Sequence, residues 1–116
     1  MVTVYGLKNC DTCRKARQWM EAEGIAHRFH DVRADELAES VLAGWAAELG
    51  WETLLNRRGT TWRQLPENEK ENLDKKRAVA LMAAHPALIK RPVFDLGVSR
   101  LVGFGKTEQE ALRTAG

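Results

Sequence analysis

Three observations place this 116-residue chain in the α/β class, with the element order β-α-β, helices, β-β-α. A short β-branched and aromatic run opens the chain and leads directly to a C-x-x-C pair, Cys10 and Cys13, at the head of an amphipathic helix. A long middle stretch carries helical periodicity. Two further β-type runs separated by Gly97-Val98-Ser99 come near the end, followed by a capping sequence and a last helix. The length suits a single domain, residues 1–116, large enough to bury a core and too short for two ordinary ones.

Val2, Val4 and Tyr5 predict the first strand, which Gly6 ends, and Leu7-Lys8-Asn9 form a loop into the cysteines. From Asp11 to about Glu23, Cys13, Ala16, Trp19 and Met20 follow helical spacing, with Arg14, Lys15, Arg17 and Gln18 mostly on the other side and Gly24 as the stop. Ile25 to Val32 is the second strand. Its mixture of His27, Phe29 and His30 with Arg28 and Asp31 predicts one face partly open to solvent. Behind Asp35, the spacing of Leu37, Val41, Leu42, Trp45 and Leu49 predicts a helix from Glu36 to Leu49 that stops at Gly50, with Trp51 to Leu55 as a further turn. Asn56-Arg57-Arg58-Gly59-Thr60-Thr61 is polar and doubly basic and reads as an exposed loop. Helical stretches follow from Glu67 to Leu73 and from Lys75 to Ala84. His85-Pro86 closes the second, because the residue before proline avoids the α region. Val93 to Leu96 and Arg100 to Phe104 read as a hairpin, and Thr107-Glu108-Gln109-Glu110 as a capping box that opens the final helix.

Charge and apolar content narrow the function classes. Lys and Arg number 18 against 16 Asp and Glu, with no block of like charge, which argues against nucleic acid as a direct partner. The N-terminus lacks a basic n-region, and no apolar run approaches the ~20 residues that span a bilayer, so a soluble, cytoplasmic protein is expected. In that reducing compartment a cysteine pair is more often catalytic, redox-sensing or metal-binding than a static disulfide.

A C-x-x-C between a strand and a helix is a thioredoxin-like redox arrangement, since the spacing puts both sulfurs on one turn at the helix N-terminus. Together with the element order it predicts a thioredoxin-like fold with a helical insertion. Unpaired N–H groups and the positive end of the helix dipole favour thiolate there, and Cys10 is the better placed sulfur. Lys8, Arg14 and Arg91 are candidates to add positive charge, with Asp11 opposing them. Cys10 is then the attacking sulfur and Cys13 the resolving one. Two other readings of the residues stay open: Cys13 as a small buried hydrophobe, and a zinc site, for which His27, His30 and His85 offer no ligand spacing. A cis bond at Arg91-Pro92 would expose backbone groups to a substrate. On its own, however, Ile89-Lys90-Arg91-Pro92 reads as an ordinary lead-in to a strand, since only about 5% of X-Pro bonds in folded proteins are cis. Arg57 and Arg58 taken alone read as solvated loop charges, Trp19, Trp45, Trp51 and Trp62 as packing residues, and His30 as a strand histidine rather than a proton carrier.

Several segments together, covering almost the whole chain in matching order, resemble the glutaredoxin-linked arsenate reductase (ArsC) family and its YffB and Spx relatives. They are Val4-Tyr5-Gly6 leading to Asn9-Cys10, Cys13-Arg14-Lys15-Ala16-Arg17, Leu54-Leu55-Asn56-Arg57, His85-Pro86 with Ile89-Lys90-Arg91-Pro92, and Arg100-Leu101-Val102-Gly103-Phe104. The resemblance implies a thioredoxin-like fold with a helical insert and a cis Pro92 facing the nucleophile Cys10. Arsenate reductases of this type use one cysteine and three arginines around the oxyanion, with glutathione and glutaredoxin completing the cycle. Cys10 and Arg91 match that pattern. The other two arginine positions fall at Asn56, followed by Arg57 and Arg58, and at Gly103, which weakens the case for arsenate because a tetrahedral oxyanion needs several convergent donors.

Asn56-Arg57 and Val102-Gly103-Phe104 are more similar to YffB, which implies glutathione-dependent thiol reduction. That group often lacks a second cysteine, so Cys13 is a departure. The C-x-x-C followed by Arg14-Lys15-Ala16-Arg17 is instead similar to Spx, a redox-sensing regulator that binds the C-terminal domain of the α subunit of RNA polymerase. Gly50 falls where Spx has a glycine at that contact, a feature the arsenate reductases share. Spx also continues well beyond the final helix, whereas this sequence stops at Gly116. The resemblance thus implies a thiol–disulfide oxidoreductase without bound cofactor or metal, with glutathione as co-substrate and glutaredoxin or thioredoxin as protein partner. Cys10, Cys13 and Arg91 would be catalytic, and Lys8, Asn9, Arg57, Arg58 and Pro92 would bind substrate. A non-enzymatic, polymerase-binding regulator is the alternative.

Overall fold

In the computed structural model, which describes residues 1–115, Val2–Gly6 forms β1, an inner strand whose Val2, Thr3, Val4 and Gly6 are buried. β1 pairs in parallel with β2 (His27–Asp31), Val2 opposite His27 and Gly6 opposite Asp31. On its other side it pairs antiparallel with β3 (Val93–Asp95), which in turn pairs antiparallel with β4 (Arg100–Val102). The sheet order is β2-β1-β3-β4. A parallel pair needs a crossover, supplied by α1 (Asp11–Ala22), and α7 (Lys106–Ala115) follows the hairpin. These elements form one compact unit, Met1–Glu36 with the segment from Arg91 onward. Its core gathers Val2, Val4, Ala16, Met20, Ile25, Phe94 and Leu112, with Trp19, Phe29, Leu96, Leu101 and Phe104 packed around them. On α1 the buried residues Cys13, Ala16 and Met20 share one face, as helical spacing requires.

The second unit, Leu37–Lys90, is the helical insertion. It holds α2 (Glu39–Leu49), α3 (Trp51–Leu54), α4 (Thr60–Gln64), α5 (Glu67–Lys70), α6 (Lys75–Ala84) and a 3-10 turn at Pro86–Leu88. α2 packs on α6, and the two bury Leu42, Trp45, Ala46, Ala78, Val79 and Met82. Gly50 joins α2 to α3 at φ +88°, a conformation that side chains with a Cβ adopt only at a cost. The Asn56 N–H donates to the Leu88 carbonyl at 2.7 Å and the Lys90 N–H to the Leu54 carbonyl at 2.8 Å, closing the unit. Among the described residues no helix is long and apolar enough to cross a membrane.

The order of strands and the β-α-β, helices, β-β-α arrangement agree with the sequence reading; the differences are one unpredicted short helix, α4, and several boundaries. α2 begins at Glu39 and not at Glu36, because Asp35 does not cap it: its carboxylate accepts the Asp31 N–H (3.2 Å) and its own N–H donates to the Asp31 carbonyl (2.8 Å). Thr60 and Thr61, read as loop, open α4 behind Gly59. The helix expected from Glu67 to Leu73 stops at Lys70, and Asn72 stands at φ +53°. There the Arg77 guanidinium binds the carbonyls of Glu71 (2.6 Å) and Asn72 (3.1 Å), turning the chain toward the Asp74 cap of α6. The cap that opens α7 lies two residues ahead of the expected frame: Gly105 stands before the helix and Glu108 returns to accept the Gly105 N–H at 2.7 Å. β2 and the hairpin strands are each one or two residues shorter at an end than their apolar runs.

Candidate active site

After Gly6 the chain turns through Lys8 and Asn9, and the Cys10 N–H closes the turn on the Leu7 carbonyl at 3.2 Å. Cys10 then stands as the N-cap of α1 in extended conformation (φ −94°, ψ 120°), its carbonyl accepting the Arg14 N–H at 3.0 Å. Its half-buried sulfur therefore sits at the positive end of the helix. Cys13, inside the first turn, is only 1% exposed, and both thiols are free. A Cβ at residue 6 would collide with the Cys13 sulfur, so the glycine that ends β1 is what admits the second thiol.

The two sulfurs are driven apart in acidity. Burial pushes the Cys10 thiol up, but the facing Cys13 N–H, the Cys13 thiol proton and the hydrogen bond and charge of the Arg91 guanidinium outweigh it, and the thiol falls below its ordinary value. Cys13 is pushed up to about 12, first by burial and then by the Cys10 sulfur to which it donates, against the opposing Leu7 N–H and Arg91 charge. Ionisation is therefore biased toward Cys10, with the Cys13 thiol keeping its proton and donating a hydrogen bond to the Cys10 sulfur. Arg91 precedes Pro92 through a cis peptide bond, and the buried Pro92 gives its carbonyl to the Gly103 N–H at 2.9 Å. Gly103 adopts φ +90°, where an arginine would be strained.

Residues 5–112 match the profile of the ArsC family. The chain belongs to the ArsC family. A solved structure named as the YffB protein is 46% identical, covers 97% of this chain and 98% of its own, and superposes with a TM-score of 0.92. An arsenate reductase (ArsC) related protein from Brucella melitensis is 45% identical over 95% of this chain and 92% of its own, with a TM-score of 0.77. The global transcriptional regulator Spx of Streptococcus mutans is 25% identical over 96% of this chain and 82% of its own. The fold is accordingly the thioredoxin-like architecture of ArsC-related proteins, with its helical insertion.

In this ArsC-family chain the structure brings Cys10, Cys13 and Arg91 together, with Lys8 and Asn9 exposed on the turn before them. Arg14 does not add net charge to the site as expected, because its guanidinium pairs with the Asp11 carboxylate one turn away; the cation acting on Cys10 is Arg91. Arg57 and Arg58 lie in the helical unit. Arg57 sits over the rings of Trp51 (5.5 Å) and Trp62 (5.9 Å), so these tryptophans carry a cation as well as packing, while the Arg58 N–H donates to the Asn56 side-chain oxygen at 3.0 Å. Both arginines line a groove of about 370 Å³ with Glu52, Leu55, Asn56 and Lys90. His30 is held as a strand residue: its ring lies 4.9 Å from that of Tyr5, and Nε2 donates to the Asp35 and Glu36 carbonyls. Among the described residues no three His, Cys, Asp or Glu are grouped to hold a metal ion.

One residue of the site neighbourhood was missed in the sequence. Asp31, 6% exposed at the end of β2, accepts the N–H groups of Arg33 (2.8 Å), Ala34 (3.0 Å) and Lys8 (3.3 Å). Burial raises its carboxyl, but those three donors and the Lys8 charge hold it below the ordinary carboxylate value. An aspartate ending a strand ahead of a turn is a readable sign of the local bonds to residues 33 and 34. The bond to Lys8 joins segments far apart in sequence and leaves no such sign.

Proposed function

We propose that the chain is a thiol–disulfide oxidoreductase with glutathione as co-substrate. The observation that carries this is the Cys10 sulfur at the N-terminus of α1, favoured as thiolate by Arg91 and by the Cys13 proton. With a glutathione mixed disulfide as substrate, the Cys10 thiolate attacks the glutathione sulfur, the S–S bond breaks, and the substrate leaves as a thiolate that takes a proton. A second glutathione thiolate then attacks the Cys10-bound glutathione, releasing oxidised glutathione and restoring Cys10. In the alternative second step Cys13 loses its proton and attacks the Cys10 sulfur, releasing glutathione and leaving a Cys10–Cys13 disulfide for glutathione, glutaredoxin or thioredoxin to reduce. Capture of Cys10 as a disulfide removes the charge that opposes Cys13 ionisation, though burial, the larger obstacle, persists. Lys8, Asn9 and Pro92 would contact the substrate, and the Arg57–Arg58–Lys90 groove offers cations for a carboxylate.

The test is turnover of a glutathione mixed disulfide, and separately of arsenate, coupled to glutathione reductase, with Cys10→Ser beside the native chain. Turnover lost in Cys10→Ser supports the reading, and full activity in that variant overturns it. A disulfide that forms reversibly with no turnover would favour the second reading, a redox-sensing regulator, which the C-x-x-C pair and the similarity to Spx support. That reading requires capture of RNA polymerase, through the C-terminal domain of its α polypeptide, to depend on Gly50 and on the redox state of the pair.

A further inference from the structure

The turn that presents Cys10 has three backbone groups committed in different directions. The Leu7 N–H faces the Cys13 sulfur, the Leu7 carbonyl accepts the Cys10 N–H at 3.2 Å, and the Lys8 N–H donates to Asp31 Oδ2 at 3.3 Å. The first two hold the cysteines to the turn. Only the third of these ties the turn to the neighbouring strand. Asp31 is itself fixed: it stands opposite Gly6 in the β1–β2 ladder, its Oδ1 takes the N–H groups of Arg33 and Ala34, and its own N–H donates to the Asp35 carboxylate. The next residue, Val32, donates its N–H to the Gly6 carbonyl at 2.9 Å.

We propose that Asp31 is a positioning residue for the Cys10 nucleophile, holding the Leu7–Asn9 turn so that Cys10 caps α1 and stays against its donors. It touches neither sulfur and acts through the Lys8 backbone. The inference rests on the reading of Cys10 as the reactive thiol, and not on which substrate is reduced.

Asp31→Asn isolates the bond. One amide oxygen can still accept from Arg33 and Ala34, but an NH₂ group then meets the Lys8 N–H, donor against donor. The measurement is the rate of Cys10 alkylation by iodoacetamide from pH 5 to 10, read by mass on protein whose circular dichroism is native. In Asp31→Asn the midpoint is expected to rise toward that of an ordinary thiol, about 8.5, with a severalfold slower rate at pH 7. The sign is diagnostic. Loss of a nearby negative charge acting only through space would lower the midpoint, and a purely structural role would leave it unchanged in the folded protein, so either result overturns the proposal. Should the variant not fold, amide hydrogen exchange in the native chain decides. A protected Lys8 N–H supports the tether, and exchange at the rate of an unstructured residue overturns it. A low native midpoint with no turnover of any disulfide would defeat the oxidoreductase reading and leave the role of Asp31 standing.

Discussion

At Cys10 burial is opposed by three donors, the Cys13 N–H, the Cys13 thiol and the Arg91 guanidinium, and only the last carries a full charge. Burial works against ionisation, and Arg91 opposes it through both a hydrogen bond and its charge. Replacing Arg91 by Met is expected to raise the alkylation midpoint of Cys10 and to slow its reaction at pH 7 by about tenfold for each unit of rise. Arg91→Lys should recover part of the rate, since a lysine restores the charge without the planar fork. Cys13 gives the opposite linkage. Its thiol, pushed up to about 12, stays protonated in the folded chain after the unfolded chain has lost the proton at about 8.5. Between those two values the unfolded state binds fewer protons, so stability falls as pH rises, by up to about 1.4 kcal/mol per pH unit. Below about pH 8 both states hold the proton and the effect vanishes. Urea unfolding at pH 8, 9 and 10 measures it, and Cys13→Ala, having no proton to lose, is expected to show a flatter alkaline limb. Cys10, Cys13 and Arg91 were legible because spacing and segment order mark them. The link from Asp31 to Lys8 was not, because it joins segments 23 residues apart through a backbone N–H that carries no side-chain signature.

At the scale of elements, the junction of β1 and α1 is a packing problem solved by one missing methyl group. The Cys13 sulfur fills the place a Cβ at residue 6 would take, with the Cys13 Cβ and the edge of the Phe29 ring beside it. Gly6→Ala is expected to cost about 1–3 kcal/mol, the usual range for overpacking a filled core. Urea unfolding checks this, and combining it with Cys13→Ala tests the cause, since removing the sulfur should recover most of the loss. The same junction explains what was readable. α1 and α6 declare themselves because an apolar stripe and a clear stop, Gly24 or His85-Pro86, agree. α4 does not, having no buried residue and no side-chain cap. The early start expected for α2 failed because Asp35 has two local roles open to it, and the turn back to Asp31, four residues earlier, wins over the cap of a following helix.

Across the whole molecule, the unit that carries the cysteines is assembled from the two ends of the chain, with the helical unit inserted between them. The register shows how it closes: Val4 on β1 stands opposite Phe94 on β3, and both are fully buried with Ala16, Met20 and Leu112. Phe94 therefore joins the N-terminal β-α-β segment to the C-terminal hairpin and helix in a single contact region. Its burial is long-range in sequence, so it rewards folding only after the entropy of bringing the two chain ends together has been met. Phe94→Ala removes the largest fully buried side chain and leaves a cavity at that seam. It is expected to cost about 3–5 kcal/mol, a large part of the roughly 5–15 kcal/mol that stabilises a typical domain. The measurement is the urea midpoint at unchanged slope, read by circular dichroism and by Cys10 alkylation together. Coincident loss of both signals would show that the site exists only when the two chain ends have met. A cost below about 1 kcal/mol, well under the range for a rigid core, would show instead that the sheet collapses around the gap.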